Sequence, residues 1–458
     1  MHIVVFIPGI MGTRLALKQP DGSVEEVWPP TPFETKFGYK RIDALMKPAV
    51  YPTTLISSVL CFQFYSTITD LLNDLGFVEG GGAKRLVLFP YDWRQDLFKT
   101  VDVLAAKLDA IKAENATKIS IVAHSMGGLI TRLLLESGQY KSRKWFGKID
   151  QFVALAVPHL GAPLALARVL GLDPTLGVSG SDFIKFSAST AYPSGYQLLP
   201  PRAELCCWDQ ASADLAGLDI FDPATAKRLG LSTTNLKRAM AVHDVLNTGA
   251  PPKGVRYFYF AGTGHRTVSR VNVFAEGTGP IDHERSEKTL TPDGGDGTVP
   301  LYSALPRQGQ RQMVVNEHST VFEGDPFRKV FVRLLGGNEG AAIEAARPPA
   351  PPLVLSVEAP VVPVGADIEI VMAISPQALA SGSDRRLVLS GQFVLERAED
   401  DAVEKFRKVG EFAIAYDGPA IDRLSMLLPA QTVAAHYRLT FAGNHKAQGP
   451  AVFAVSAA

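Results

Sequence analysis

Cysteine is scarce in this chain of 458 residues: only Cys61, Cys206 and Cys207 are present, two of them adjacent. Three thiols so placed cannot form the disulfide framework of a small secreted scaffold, and the adjacent pair has no further ligands at metal spacing. Charge of one sign is missing too. Lys+Arg and Asp+Glu are both 46, for a net charge of zero, so no global field draws in nucleic acid or an anionic surface. No uninterrupted apolar stretch reaches the ~18 residues of a membrane span. The apolar run His2–Ile7 stops at Pro8 and has no basic flank, which is not a secretory leader. A cytoplasmic location is the expectation, with leaderless export as the other route. No motif calls for a metal or an organic cofactor.

What is present is an alternation. Strand patterns at 3–7, 85–89, 118–123 and 150–157 alternate with helix patterns at 97–114 and 127–137. Such alternation predicts an α/β fold, a parallel sheet with helices on both faces. Leu97, Val101, Leu104, Leu108 and Ile111 mark the buried stripe of the first long helix. Between the strand 118–123 and the helix at 127 lies Ala123-His-Ser-Met-Gly-Gly128. A serine on a sharp strand-to-helix turn is the nucleophile elbow of an α/β-hydrolase. The tight turn needs small neighbours, and Ala123 and Gly127 supply them. The helix N-terminus would then offer the N–H of Met126 to an oxyanion.

Three further pieces fall where this chemistry needs them. Pro8-Gly-Ile-Met-Gly-Thr13 follows the first strand. Gly9 and Gly12 let the backbone turn there, and the N–H of Ile10 is the candidate second oxyanion donor. Asp293-Gly-Gly-Asp-Gly-Thr-Val-Pro300 follows a strand-like Val255–Phe260. It offers Asp296, with Asp293 as competitor, as the carboxylate that holds a histidine tautomer. A calcium loop is excluded because no Glu closes it. His318 ends Val314-Val-Asn-Glu-His318 ahead of a helix-like 325–335. The order Ser125, Asp296, His318 is that of the α/β-hydrolases. His124 belongs to the elbow, and strand alternation is expected to point it away from the nucleophile.

With Tyr91-Asp-Trp-Arg94, Pro158-His-Leu-Gly-Ala-Pro163, Leu198-Leu-Pro200 and Glu317-His318 added to these strings, the chain resembles the lecithin:cholesterol acyltransferase family, over about residues 1 to 335. The resemblance implies an α/β-hydrolase fold, lipid-ester chemistry, Ser125, Asp296 and His318 as a triad, and Ile10 and Met126 as oxyanion donors. Cys61 has no partner for the disulfide that closes the lid of animal members.

Two stretches interrupt the alternation, 27–66 and 164–254, and are expected to form caps or lids. Leu55–Tyr65 is apolar and aromatic. Phe62, Phe64 and their neighbours either receive a lipid surface or pack the cap against the core. Phe183, Phe186, Tyr192 and Tyr196 are expected to pack. Asp92 and Arg94 are expected to pin loops by charge-assisted hydrogen bonds, with Tyr91 beside them, while Trp93 could instead line an acyl pocket.

The hydrolase unit is expected over 1–340, a stiff Pro-rich linker over 341–352, and a β-sandwich over 353–458, where apolar residues alternate with period two. The linker argues for few contacts across the boundary. The sandwich carries no catalytic constellation and could bind a protein partner. Three function classes follow: a lipid-ester acyl hydrolase or acyltransferase, an esterase for small soluble esters, and an inactive hydrolase-fold binding protein.

Overall fold

The computed structural model describes residues 1–59, 62–63, 65–275, 279–306, 309–337, 352–375, 378, 386–399, 403, 405–448 and 450–457; of residues 58, 59, 62 and 63 it describes the backbone alone. At its centre is a seven-stranded sheet in the order Gln310–Val314, Arg256–Gly262, Ile149–Leu155, Lys118–His124, His2–Ile7, Lys84–Leu88, Val78–Glu79. Every pairing in it is parallel. The first strand shows why its sequence has no polar alternation. Ile3, Val5 and Ile7 enter the core on one face, Val4 and Phe6 the core on the other, as a strand covered on both faces requires. The helices Leu97–Ala110 and Met126–Glu136 contribute to the first core, Ser66–Asp74 and Gly324–Leu334 to the second. Helix 97–110 is capped by Asp96, whose carboxylate accepts from Phe98 N at 3.0 Å. It ends before 114 because Lys112 turns left-handed, at φ 54°.

The cap regions differ from the sequence expectation in two places. Strands Thr13–Lys18, Val24–Trp28 and Val50–Leu55 form a small antiparallel sheet, so the first excursion begins near residue 13 rather than 27. Register shifts beside Leu15, and Pro52 within the last strand, hide the period-two signal there. A long hairpin, His265–Phe274 with Asp282–Gly295, separates the strand Arg256–Gly262 from Asp296. Its charged second strand carries little hydrophobic pattern. The regular structure of the 164–254 stretch is mostly helical, with Pro163–Val169, Gly180–Ala188, Pro223–Arg228 and Thr233–Thr248, joined by longer irregular segments.

Residues 353–456 build two sheets. One runs Arg423–Leu428, Ile368–Ile374, Leu353–Val357, Ala447–Gln448. The other runs Val361–Pro363, Ala451–Ser456, Ala435–Gly443, Arg386–Ala398, Phe406–Pro419. Leu355, Ile370, Met372, Leu389, Phe393, Leu439 and Phe453 share one core between them. Residues 338–351, which hold most of the linker, lie outside the described residues.

The junction is richer than a stiff linker suggests. Glu358 accepts from the Arg266 backbone N–H and bonds His265 Nδ1 at 2.6 Å. Arg423 pairs with Asp293 and donates to the Gly264 carbonyl. His436 meets Thr35 Oγ1 at 3.0 Å, Ser456 Oγ donates to the Lys36 carbonyl at 3.2 Å, and Gln448 Nε2 donates to Glu323 at 2.9 Å. Each such hydrogen bond contributes about 0.5–1.5 kcal/mol net. A chain ending at Gly337 is therefore expected to melt earlier and to lose turnover of a short soluble ester several-fold. Thermal melting and steady-state rates check this. An unchanged melting temperature would show that the brace contributes nothing.

Candidate active site

A parallel sheet collects the carboxyl ends of its strands at one edge, where α/β folds place their sites. Ser125 follows the central strand Lys118–His124 and precedes the helix Met126–Glu136 with φ 51° and ψ −127°. A non-glycine residue at positive φ is strained and persists only where its surroundings enforce it. Here the Ser125 N–H donates to the Leu155 carbonyl at 2.9 Å, and Gly128 N–H donates to Ser125 O at 2.9 Å. The turn also needs glycine nearby. A Cβ on Gly127 would lie 2.4 Å from Pro8 O and 2.7 Å from Ile7 O. Gly127 is thus required by the close approach of the first strand's loop, as well as by the turn. A Cβ on Gly9 would lie 2.8 Å from Ser125 Cβ and 3.3 Å from its Oγ, so the Gly9–Ile10 loop and the serine are in contact. Met126 is the first residue of its helix, and the N–H at that position has no intrahelical partner.

Two other strand ends supply Asp296 and His318. His318 Nδ1 bonds Asp296 Oδ2 at 2.8 Å, and the His318 N–H donates to the Asp296 carbonyl at 2.8 Å. The second carboxylate oxygen accepts from Thr298 N at 2.9 Å and Val299 N at 2.6 Å. The Asp296 side chain is fully buried, while 17% of His318 stays accessible. Gly262 makes this closeness possible: a Cβ there would stand 2.4 Å from Asn316 O and 2.6 Å from Asp296 Cβ. Asn316 Nδ2 donates to the carbonyls of Thr320 at 2.8 Å and Glu323 at 2.9 Å, which fixes the His318 turn. Asp293 lies apart. It is exposed and pairs with Arg423.

His124 lies on the face that strand alternation assigns to it, with Val122, and it is engaged there rather than idle. It lies 4.7 Å from the His318 ring, with Nε2 2.9 Å from the His318 carbonyl and Nδ1 2.9 Å from Tyr65 Oη. Strand alternation still sets its direction, since it faces the same core as Val122, Tyr65 and Phe322, and the His318 turn folds across to meet it there. Burial, and then the neighbouring His318, push the His124 pKa well below the ordinary range. Tyr65 stands beside His124. Its burial follows the packing reading of the 55–65 stretch, and its hydroxyl accepts from the Gly9 N–H at 2.8 Å. Under the same turn, burial raises the carboxyls of Glu317 and Glu323, the latter to about 8.

Tyr91 Oη donates to the Pro8 carbonyl at 3.0 Å and supports the Gly9 loop from below. Asp92 and Arg94 pair with each other, at 2.8 and 2.7 Å, rather than each pinning a separate loop. Arg94 alone reaches out, donating to the carbonyls of Leu45, Lys47 and Val50. It is fully buried, with Tyr192 across its guanidinium at 4.4 Å. Trp93 sits in an aromatic cluster with Trp28 at 5.2 Å and Phe186 at 6.1 Å. Phe183, Tyr192 and Tyr196 are buried, and Tyr192 stacks on Phe186. The side chains of Phe62 and Phe64 lie outside the described residues. Among the described residues no helix is long and apolar enough to cross a membrane.

A central parallel sheet between helices, with a strained serine on a strand-to-helix turn at its carboxyl edge, defines an α/β-hydrolase. Residues 53–332 match the family model for lecithin:cholesterol acyltransferase, and the chain belongs to that family. It is 24% identical over 422 residues to lecithin-cholesterol acyltransferase-like 4 of Arabidopsis thaliana, covering 71% of this chain and 77% of that one. It is 24% identical over 293 residues to phospholipase A(1) LCAT3 of the same plant, covering 54% of this chain and 63% of that one. Among solved structures, a chain of the Tle4–Tli4 complex overlays with a TM-score of 0.49 at 14% identity, covering 71% of this chain and 96% of that one.

Proposed function

We propose that this family member cleaves lipid esters, or transfers their acyl groups, through Ser125, with His318 as base and Asp296 as its orienting carboxylate. One observation carries the reading: the bonded Asp296–His318 pair is folded against His124, the residue that precedes the strained Ser125. Asp296 engages Nδ1 of His318, which leaves Nε2 to accept the serine proton. The Ser125 alkoxide then attacks the ester carbonyl. The oxyanion accepts from the amides of Ile10 and Met126, and His318 returns the proton to the departing alcohol. The acyl-enzyme is resolved by water in a hydrolase, or by a lipid or sterol hydroxyl in an acyltransferase. The names of the two plant relatives support a lipid substrate. In this reading the chain works in the cytoplasm and meets the lipid surface through the 55–65 segment, with Phe62 and Phe64 as contacts. The sandwich is left to hold a protein partner.

The test is product analysis on phosphatidylcholine vesicles, with and without a long-chain alcohol. Lysophospholipid should form in both. Its partner product should be free fatty acid with water as acceptor, and an acyl ester of the alcohol if the site transfers. Turnover of short soluble esters alone would replace this reading by a carboxylesterase.

A further inference from the structure

Three separate loops are tied together by one chain of hydrogen bonds, two of them buried and the last part-buried. The Gly9 N–H reaches Tyr65 Oη at 2.8 Å, Tyr65 Oη reaches His124 Nδ1 at 2.9 Å, and His124 Nε2 reaches the His318 carbonyl at 2.9 Å. The two ends fix every proton between them. An amide N–H can only donate and a carbonyl can only accept. Tyr65 therefore accepts from Gly9 and donates its own hydrogen to His124 Nδ1, and the His124 ring carries its proton on Nε2. No other arrangement satisfies all four groups, and each unsatisfied buried group would be costly.

From this geometry we infer that Tyr65 and His124 are positioning residues, which hold the oxyanion loop, the serine elbow and the His318 turn in a single register. The inference rests on the triad reading above. The packing leaves no slack for the tie to be idle. A Cβ on Gly12 would lie 2.8 Å from both the Tyr65 ring and its Oη, so the 9–12 loop wraps the tyrosine closely. Gly9, at the end of the tie, is in contact with Ser125 and adjoins Ile10. Phe6 stands edge-on to the Tyr65 ring at 5.2 Å, and Phe322 stands edge-on to His124 at 5.7 Å; both hold the pair from the apolar side. A neutral His124 also matters for charge. A cation 4.7 Å from the His318 ring would oppose the positive charge that His318 must take up. Burial keeps His124 in its neutral form.

Tyr65→Phe keeps the ring and removes the hydroxyl. The Gly9 amide and His124 Nδ1 then lose their common partner, and the loop is free to shift. Misplacement on the ångström scale costs up to about 100-fold in rate. The variant is expected to lose about 10- to 100-fold in kcat on a short ester, with KM within about twofold. Labelling of Ser125 by a fluorophosphonate should slow by the same factor. Combining Tyr65→Phe with His124→Ala should cost no more than the worse single change, because both cut one tie. A folded Tyr65→Phe enzyme at wild-type kcat, or a loss confined to KM, overturns the inference. Nitrogen NMR of the wild-type histidines decides it even if the variant does not fold. His124 should be neutral with its proton on Nε2 at pH 7, and a proton on Nδ1 overturns the tie. The Ser125→Ala enzyme serves as the blank. Residual turnover in that blank would defeat the triad reading itself, separately from the tie.

Discussion

Asp296→Asn is expected to lower kcat by about four orders of magnitude, the loss known when this carboxylate is made an amide in a Ser-His-Asp triad. The structure gives the reason in terms of donors and acceptors. Asp296 Oδ1 already accepts from the amides of Thr298 and Val299, so an asparagine must place its oxygen there. Its NH₂ then faces His318 Nδ1 and donates to it. The proton is driven to Nε2 of His318, the atom that accepts the serine proton in the proposed mechanism. Asp293→Asn should cost less than about tenfold, since Asp293 is exposed and its partner is Arg423 at the junction rather than the histidine. Steady-state rates on one short ester compare the two. A larger loss at 293 than at 296 would move the acid to the other end of the loop.

Ser125→Ala should have the larger effect still, about a millionfold in kcat, with the melting temperature unchanged. Alanine retains the Cβ that touches the Gly9 loop and bears the same backbone strain as serine at φ 51°. Packing is therefore preserved while the proposed nucleophile is lost. Circular dichroism and thermal melting verify the fold, and the ester assay verifies the loss. Turnover above a trace in the folded variant would place the nucleophile elsewhere.

Much of the framework was legible because it obeys local rules. A fully apolar strand such as His2–Ile7 announces burial on both faces. Helix 126–136 shows its stripe, and the serine elbow stands between two recognisable elements. The sandwich declared itself through period-two alternation. What escaped reading was decided by tertiary approach. The hairpin from His265 to Gly295 has a second strand rich in charge, so it offers little hydrophobic period to read. Tyr65 belongs by sequence to an apolar stretch that could meet lipid or the core, yet its hydroxyl is the centre of a polar chain, and no single-sequence pattern distinguishes an aromatic that meets lipid from one whose oxygen meets an amide. Gly262 carries no motif at all. Its role appears only when Asp296 and Asn316 are seen crowding the place of its missing side chain. The junction is hidden for a similar reason: a Pro-rich linker describes the covalent path between two units and says nothing of the faces they press together.

The central claim is that Ser125 is the nucleophile, and covalent trapping tests it most directly. The wild-type enzyme, inactivated with a fluorophosphonate and digested, should show one adduct, on the peptide that contains Ser125. Its extent should track the lost ester turnover point for point, and the Ser125→Ala enzyme should show none. An inactivated enzyme whose adduct sits on another residue, or full turnover with Ser125 modified, would contradict the account.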